Sequence, residues 1–273
     1  MNSPTPVSAP GHFWLGIKKY LNRNQSLLSI VRAIRAIWLL GPWRKLLVRY
    51  HQRFNQNDPL PRTHKSLFHE LDVDATVSLL QSNGYSPGIH LPGSQITEIL
   101  QFSKASNKRK HRNLHLSYEP VRQIAHDQKI IEVVSRYLGA EPVLYQSDLY
   151  WTYPITEEEK YQRLISKKSR FHYDVGDFRS LVVFIYLTDV TAECGPHVVI
   201  EATHQKKSAW NLLSRFLTDQ TAEQKYGDRI RTITGKPGTG FFEDLTCYHK
   251  HSAGKKERLM LTITYMLQRT PLQ

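Results

Sequence analysis

The chain is poor in cysteine: Cys194 and Cys247 are the 2 among 273 residues. Neither sits in a CxxC pair, so no disulfide framework and no thiolate zinc finger is expected, and a reducing compartment is the simplest setting. Long apolar runs are also lacking. The uncharged stretches Asn24–Val31 and Ala36–Trp43 fall far short of the ~18–20 residues that span a bilayer. The opening MNSPTPVSAPGHFW has no basic start followed by an apolar run, so it does not read as a secretory signal. A cytoplasmic protein, free or peripheral to a membrane, is expected.

Acidic residues are scarce. Asp and Glu number 24 against 37 Lys and Arg, a formal charge of +13. Residues 1–60 carry Lys18, Lys19, Arg23, Arg32, Arg35, Arg44, Lys45, Arg49 and Arg53 against the single acid Asp58. A second cluster is Lys104, Lys108, Arg109, Lys110 and Arg112. Such a balance favours anionic partners, and it equally fits solvated helix faces. No zinc-finger spacing or RNP-like aromatic motif accompanies the charge, so nucleic acid is not the expected partner.

What remains suffices for a folded domain: 40% of residues are hydrophobic and 22% charged, which excludes wholesale disorder. The polar, proline-bearing stretch NQNDPLPRTH divides the reading into a basic amphipathic helical extension over 1–60 and a domain over 61–273. In the extension Leu27, Val31, Ile34 and Trp38 recur at helical spacing, Gly41-Pro42 breaks the pattern, and Trp43, Leu46, Leu47 and Tyr50 resume it. Two helices are predicted, with their apolar stripe packed on the domain; peripheral membrane contact through residues 13–53 is the alternative.

Helical spacing also covers Leu67–Asn83, Ser94–Phe102 and Arg122–Leu138, with a basic loop at 103–113. Later the pattern changes. Val143–Tyr153, Leu181–Leu187, Val198–Ile200, Ile230–Ile233, Gly240–Phe242 and Leu259–Leu267 read as strands, and Trp210–Asp219 as a helical insertion. Helices first and short strands later predict an α+β fold whose strands form a sandwich or jelly roll.

The chemistry centres on FHYDVGD, residues 171–177. In an extended segment His172 and Asp174 point to one side, because side chains two apart share a face. A second histidine from another strand would complete a two-histidine, one-carboxylate set with open positions, the signature of non-haem Fe(II) oxygenases. An HxD pair alone is common. His249 in CYHKHS is the best third donor, His251 shares its face and competes, and His204 in EATHQ is expected in a loop after a strand.

Four blocks then occur in a telling order: FHYDVGD, YLTDVTAECGPHVVIEATHQ, GTGFFEDLTCYHKHS and RLMLTITY, preceded by VLYQSDLYWTYP. Together they resemble the phytanoyl-CoA dioxygenase family of Fe(II)/2-oxoglutarate oxygenases over roughly residues 143–267; residues 1–60 resemble nothing placed. The resemblance implies a double-stranded β-helix (jelly roll, cupin-like) core with flanking helices. It implies iron ligands at His172, Asp174 and His249. It implies that Arg258 binds the far carboxylate of 2-oxoglutarate, with Phe184, His251 and Gln146 nearby. Guanidinium suits that task, being permanently charged and able to fork onto a carboxylate. The chain departs from the family at His251 (often small and polar), Cys194 (often Asn), Thr152 (often Lys) and Phe184 (often Trp).

The implied activity hydroxylates a C–H bond of a small-molecule, lipid or acyl substrate with O2, giving succinate and CO2. Asp174 fills the position that chloride takes in related halogenases. An anionic substrate would suit the basic surface. Residues Glu157–Arg170 and Lys206–Tyr226 are expected near the site entrance. The alternatives are a jelly-roll protein that binds metal or anions without turnover, and a basic membrane- or nucleic-acid-associated protein.

Overall fold

The computed structural model describes residues 25–106, 108–154, 156, 170–205, 207, 212, 215–252 and 254–268. Seven helices are labelled here: α1 (Gln25–Leu40), α2 (Arg44–Arg53), α3 (Val73–Asn83), α4 (Gly93–Ala105), α5 (Glu119–Ala125), α6 (Gln128–Leu138) and α7 (Asp219–Tyr226). The strands are β1 (Tyr85–His90), β2 (Lys110–Arg112), β3 (Val143–Thr152), β4 (Phe171–His172), β5 (Ser180–Tyr186), β6 (His197–Ile200), β7 (Phe216–Leu217), β8 (Ile230–Ile233), β9 (Thr239–Glu243), β10 (Tyr248–His251) and β11 (Arg258–Met266).

They form two antiparallel sheets. The major sheet runs β1-β9-β5-β11-β3-β2 and the minor sheet β7-β4-β10-β6-β8. This is the expected α+β jelly roll with flanking helices. Its strands alternate between two cores. On β5, Leu181, Val183 and Ile185 join a cluster with Leu80, Ile130, Val134 and Leu138 from α3 and α6. Val182, Phe184 and Tyr186 instead face Val199, Phe241 and Met260, between the sheets. Burial on both faces explains why SLVVFIY is apolar throughout.

The two N-terminal helices pack on the outer face of the minor sheet. Leu39 and Leu40 share a core with Phe171, Tyr173, Val198 and Tyr248. Arg35 Nη2 donates to Gly176 O at 2.8 Å, and Arg44 Nε donates to Phe178 O at 2.8 Å. The stripe expected to be buried is not the buried one. Ile34 and Trp38 are exposed, as are Leu46 and Tyr50, while Ala36, Leu39 and Leu40 are buried. With apolar residues on several faces of α1, spacing alone does not select the side that docks. Leu39→Ala is expected to lower unfolding free energy by about 2–5 kcal/mol, read by urea denaturation; a loss below about 1 kcal/mol would mean α1 contributes little.

Other boundaries moved for visible reasons. The single helix expected over Arg122–Leu138 is broken, because the Asp127 carboxylate accepts Lys129 N and Ile130 N and so starts a new helix. The same carboxylate accepts Ser66 Oγ at 2.8 Å and Leu67 N at 2.6 Å, tying the 60s segment to α6. Strand β1 holds Pro87 and Gly88, which disguised it; it is an edge strand with a register shift there. Of the helix expected over Trp210–Asp219, residues 210, 211, 213 and 214 lie outside the described residues, Leu212 is helical, residues 216–217 are strand and Thr218 caps α7.

Asp177, fully buried, accepts backbone N–H bonds from Phe178 and Gln268. Burial outweighs those bonds and pushes its carboxyl up to about 6. The folded chain therefore keeps a proton that the unfolded chain releases near its ordinary value. Stability should fall as pH rises from about 4 to about 6, by about 3 kcal/mol in all. Asp177→Asn should flatten that interval in denaturant titrations.

Candidate metal centre

Strands β4 and β10 pair antiparallel with His172 opposite His249, which lets one strand's imidazole meet the other's. Their ring centroids are 4.6 Å apart. The chain then turns out of β4, and Asp174 N donates to Leu245 O at 2.8 Å, bringing the carboxylate alongside. One ligand atom each from His172, Asp174 and His249 lies within 4.8 Å of the other two. Small side-chain rotations would let all three converge on one ion.

The histidines are set for this by their other nitrogens. His172 Nδ1 lies 3.1 Å from Arg170 O and His249 Nδ1 lies 3.1 Å from Cys247 O. A carbonyl only accepts, so each Nδ1 carries the proton and each Nε2 lone pair is left for a metal. His249 is buried, His172 half-buried and Asp174 51% exposed, so the open side of the set is at the carboxylate. Two imidazoles and one carboxylate fit a borderline divalent ion such as iron and leave sites open.

The local field separates the three. Burial, with His249 beside it, pushes His172 below its ordinary value. Desolvation would raise Asp174, but His249, His172 and Arg215 outweigh it and hold the carboxyl below the usual range. A buried carboxyl stands behind the ligands. Glu243 Oε1 is 3.5 Å from His249 Nδ1, and Glu243 Oε2 is 2.6 Å from His197 Nε2. The latter contact is close but poorly aligned, so neither atom has a well-formed hydrogen bond. Burial pushes the Glu243 carboxyl up to about 8 and His197 down.

Arg258 opens β11 and is 1% exposed. Its Nη2 donates to His251 Nδ1 at 3.0 Å and Tyr186 lies beside it, while Nε and Nη1 have no well-aligned hydrogen-bond partner among the described residues. An orphaned buried guanidinium is costly unless an anion meets it. A cavity of about 350 Å³ adjoins it, lined also by His251, Ser252, Tyr150, Thr152, Arg109 and Lys110. His251, on its wall, lies two residues along β10 from His249; the triad itself does not line the cavity.

The expected residues distribute as follows. His172, Asp174 and His249 come together, and Arg258 and His251 meet at the adjoining cavity. His251 is held by Arg258 and is not in the triad. Phe184 is buried between the sheets, stacked on Phe241 at 4.8 Å and 4.9 Å from the His197 ring. Gln146 does not line the cavity; its amide donates to Asp148 at 2.6 Å, and Asp148 pairs with Lys110 at 2.5 Å. His204 lies in a turn after β6, on another cavity behind the minor sheet. Of the two segments expected at the entrance, 157–169 lies outside the described residues, and the second contributes Arg215. Its Nη2 donates to Tyr173 O at 2.6 Å and lies 3.7 Å from Asp174 Oδ1. Arg215 was missed because an insertion carries no pairing pattern. Glu243 was missed too, although a carboxylate ending the apolar strand TGFFE was a usable signal.

No family model and no curated protein matches this chain. Solved structures do. EctD from S. alaskensis, with 2-oxoglutarate and 5-hydroxyectoine, aligns with a TM-score of 0.52 at 16% identity, covering 78% of this chain and 84% of that one. The epimerase SnoN, in complex with Fe3+, alpha ketoglutarate and nogalamycin RO, aligns with a TM-score of 0.52 at 14% identity, over 71% of this chain and 83% of that one. At this identity the likeness is one of fold: the chain has the jelly-roll architecture of these non-haem enzymes. Among the described residues no helix is long and apolar enough to cross a membrane.

Proposed function

We propose that this chain is an Fe(II)- and 2-oxoglutarate-dependent oxygenase that hydroxylates a C–H bond of a small-molecule substrate. The observation that carries the reading is the convergence of His172, Asp174 and His249 beside a buried, half-unpartnered Arg258. The triad alone would serve any divalent ion. Arg258 adds a reason for a carboxylate-bearing cosubstrate next to it, which a passive metal site does not need. EctD and SnoN, solved with 2-oxoglutarate or alpha ketoglutarate, share the fold and support this assignment, as does the motif order that resembles the phytanoyl-CoA dioxygenase family.

In this reading His172, Asp174 and His249 hold the iron, which when bound supplies O2 activation coupled to conversion of 2-oxoglutarate to succinate and CO2. The chain's own groups do the positioning. The backbone carbonyls of Arg170 and Cys247 hold the Nδ1 protons, which directs each Nε2 to the metal. Arg258 forks onto the distant carboxylate and sets the cosubstrate's direction, while His251 steadies the guanidinium from behind. The aromatic walls Tyr150 and Trp151 limit water at that end. Asp174 occupies the place a halide would need, so hydroxylation is preferred to halogenation. Arg109 and Lys110 on the cavity wall favour an anionic substrate, and a lipid or acyl chain bearing such a group fits as well.

The test is anaerobic addition of Fe(II) and then 2-oxoglutarate to metal-free protein. A weak visible charge-transfer band that needs both components is expected. Its absence from well-folded protein would overturn the reading in favour of a jelly roll without turnover. Peripheral membrane contact is favoured by one observation, the exposed row Ile34, Trp38, Leu46, Tyr50 and Phe54 on α1 and α2. Failure to sediment with anionic vesicles would remove it.

A further inference from the structure

A second cavity, of about 790 Å³, lies where α2 meets the outer face of the minor sheet. It is separate from the triad: β4 and β10 stand between them. The side chains that flank the ligands in sequence turn the other way, so that Lys207 Nζ sits 4.6 Å from the Tyr173 ring and 4.3 Å from the Tyr248 ring.

The lining is unusual in charge. Arg44, Lys45, Arg49 and Arg179 face it against one carboxylate, Asp244, so four cations less one anion leave three positive charges, with Lys207, whose Nζ donates to Thr203 O and Thr246 O, beside them. Asp244 is already engaged. Its Oδ2 accepts Tyr137 OH at 2.7 Å, and its Oδ1 accepts Thr246 N and Oγ1 at 2.9 and 2.6 Å. Arg44 lies 3.9 Å from it, and Lys207 and His204 also feel its charge. Arg179 lies over the Tyr137 ring at 4.1 Å and has no carboxylate partner among the described residues. Lys45 and Arg49 form no hydrogen bond or ion pair among the described residues, although they point to the same space. Burial pushes the Lys207 ammonium down to about 7, with Arg44 adding a smaller push in the same direction.

Like charges gathered at a concave wall repel, and an anion relieves them. The volume falls in the range of small-molecule sites. Leu40, Val48 and Leu212 supply apolar wall, and Gln52 and Gln205 add amides. A single carboxylate would leave most of the charge unmet. Two linked phosphates would balance it, and guanidinium forks match phosphate oxygens.

We propose that this cavity binds a ligand carrying two phosphate groups or their charge equivalent, at a site distinct from the metal centre. The phosphates could belong to a soluble ester or to a lipid headgroup, and the test separates these. Inorganic pyrophosphate is titrated into the full chain by calorimetry at low salt. Saturable binding is expected, weakened at least 10-fold in Lys45→Gln/Arg49→Gln and again in Arg179→Gln. The first variant changes only side chains without partners, and its unchanged melting temperature would exclude unfolding. Vesicles of phosphatidylcholine with phosphatidic acid form the second arm. Pelleting that is lost in the same variants assigns the phosphates to lipid; pyrophosphate binding without pelleting assigns them to a soluble ligand. No heat with pyrophosphate together with no pelleting, or affinity unchanged in all variants, would overturn the proposal. The Fe(II) titration described above is independent of every arm.

Discussion

Arg258→Ala is expected to raise the 2-oxoglutarate concentration needed for half-saturation by about 100-fold, within the ~2–5 kcal/mol seen when one member of a buried charge pair is removed. The same change should leave the metal-free protein as stable as before, or slightly more so. The reason is that two of the guanidinium nitrogens are buried with no well-aligned partner among the described residues. Their desolvation is a standing cost in the free chain and is recovered only when an anion arrives. Ordinary large-to-small substitution at a site 1% exposed should destabilise, so the two effects oppose and nearly cancel. Arg258→Lys should lie between, because a point charge replaces a fork. The check is a charge-transfer titration alongside thermal melts. Unchanged 2-oxoglutarate affinity with a large fall in melting temperature would make Arg258 a structural residue.

His249→Ala is expected to abolish Fe(II) binding, with affinity falling by more than about 100-fold, since loss of outer partners alone costs 10–100-fold. His251→Ala should keep most of it. Both side chains face the same way from β10, but only His249 lies opposite His172, and His251 is spent on Arg258. Metal binding to the folded state raises stability by mass action, by about 2.7 kcal/mol at a hundredfold excess over the dissociation constant. Anaerobic melts with Fe(II) should therefore show a rise for wild type and His251→Ala and none for His249→Ala. A rise in His249→Ala and none in His251→Ala would move the third ligand to His251.

Much of the site was legible because it rests on short motifs. His172 and Asp174 lie two apart, which marks the pair, although β4 ends at His172 and Asp174 is brought alongside by its backbone bond to Leu245 and not by strand alternation. The order of the motif blocks brought in His249 and Arg258 across some 77 and 86 positions of chain. What could not be read was any contact made by residues without a pattern. Gln146 was placed at the cosubstrate and is instead tied to Asp148. Arg215 comes from an insertion, with its backbone at a φ of 39°, and reaches Asp174 only because β7 pairs with β4.

The amino-acid sequence by itself determined strands β3, β5, β6, β8, β9 and β11, where the charge lies, and which side chains could hold a metal. Only the tertiary structure decided which face of α1 is buried, that Arg258 has no carboxylate partner among the described residues, and that the basic N-terminal residues line a cavity with Arg179 and Lys207. Periodicity is set by bonds between near neighbours, whereas burial and charge balance depend on which distant surfaces meet.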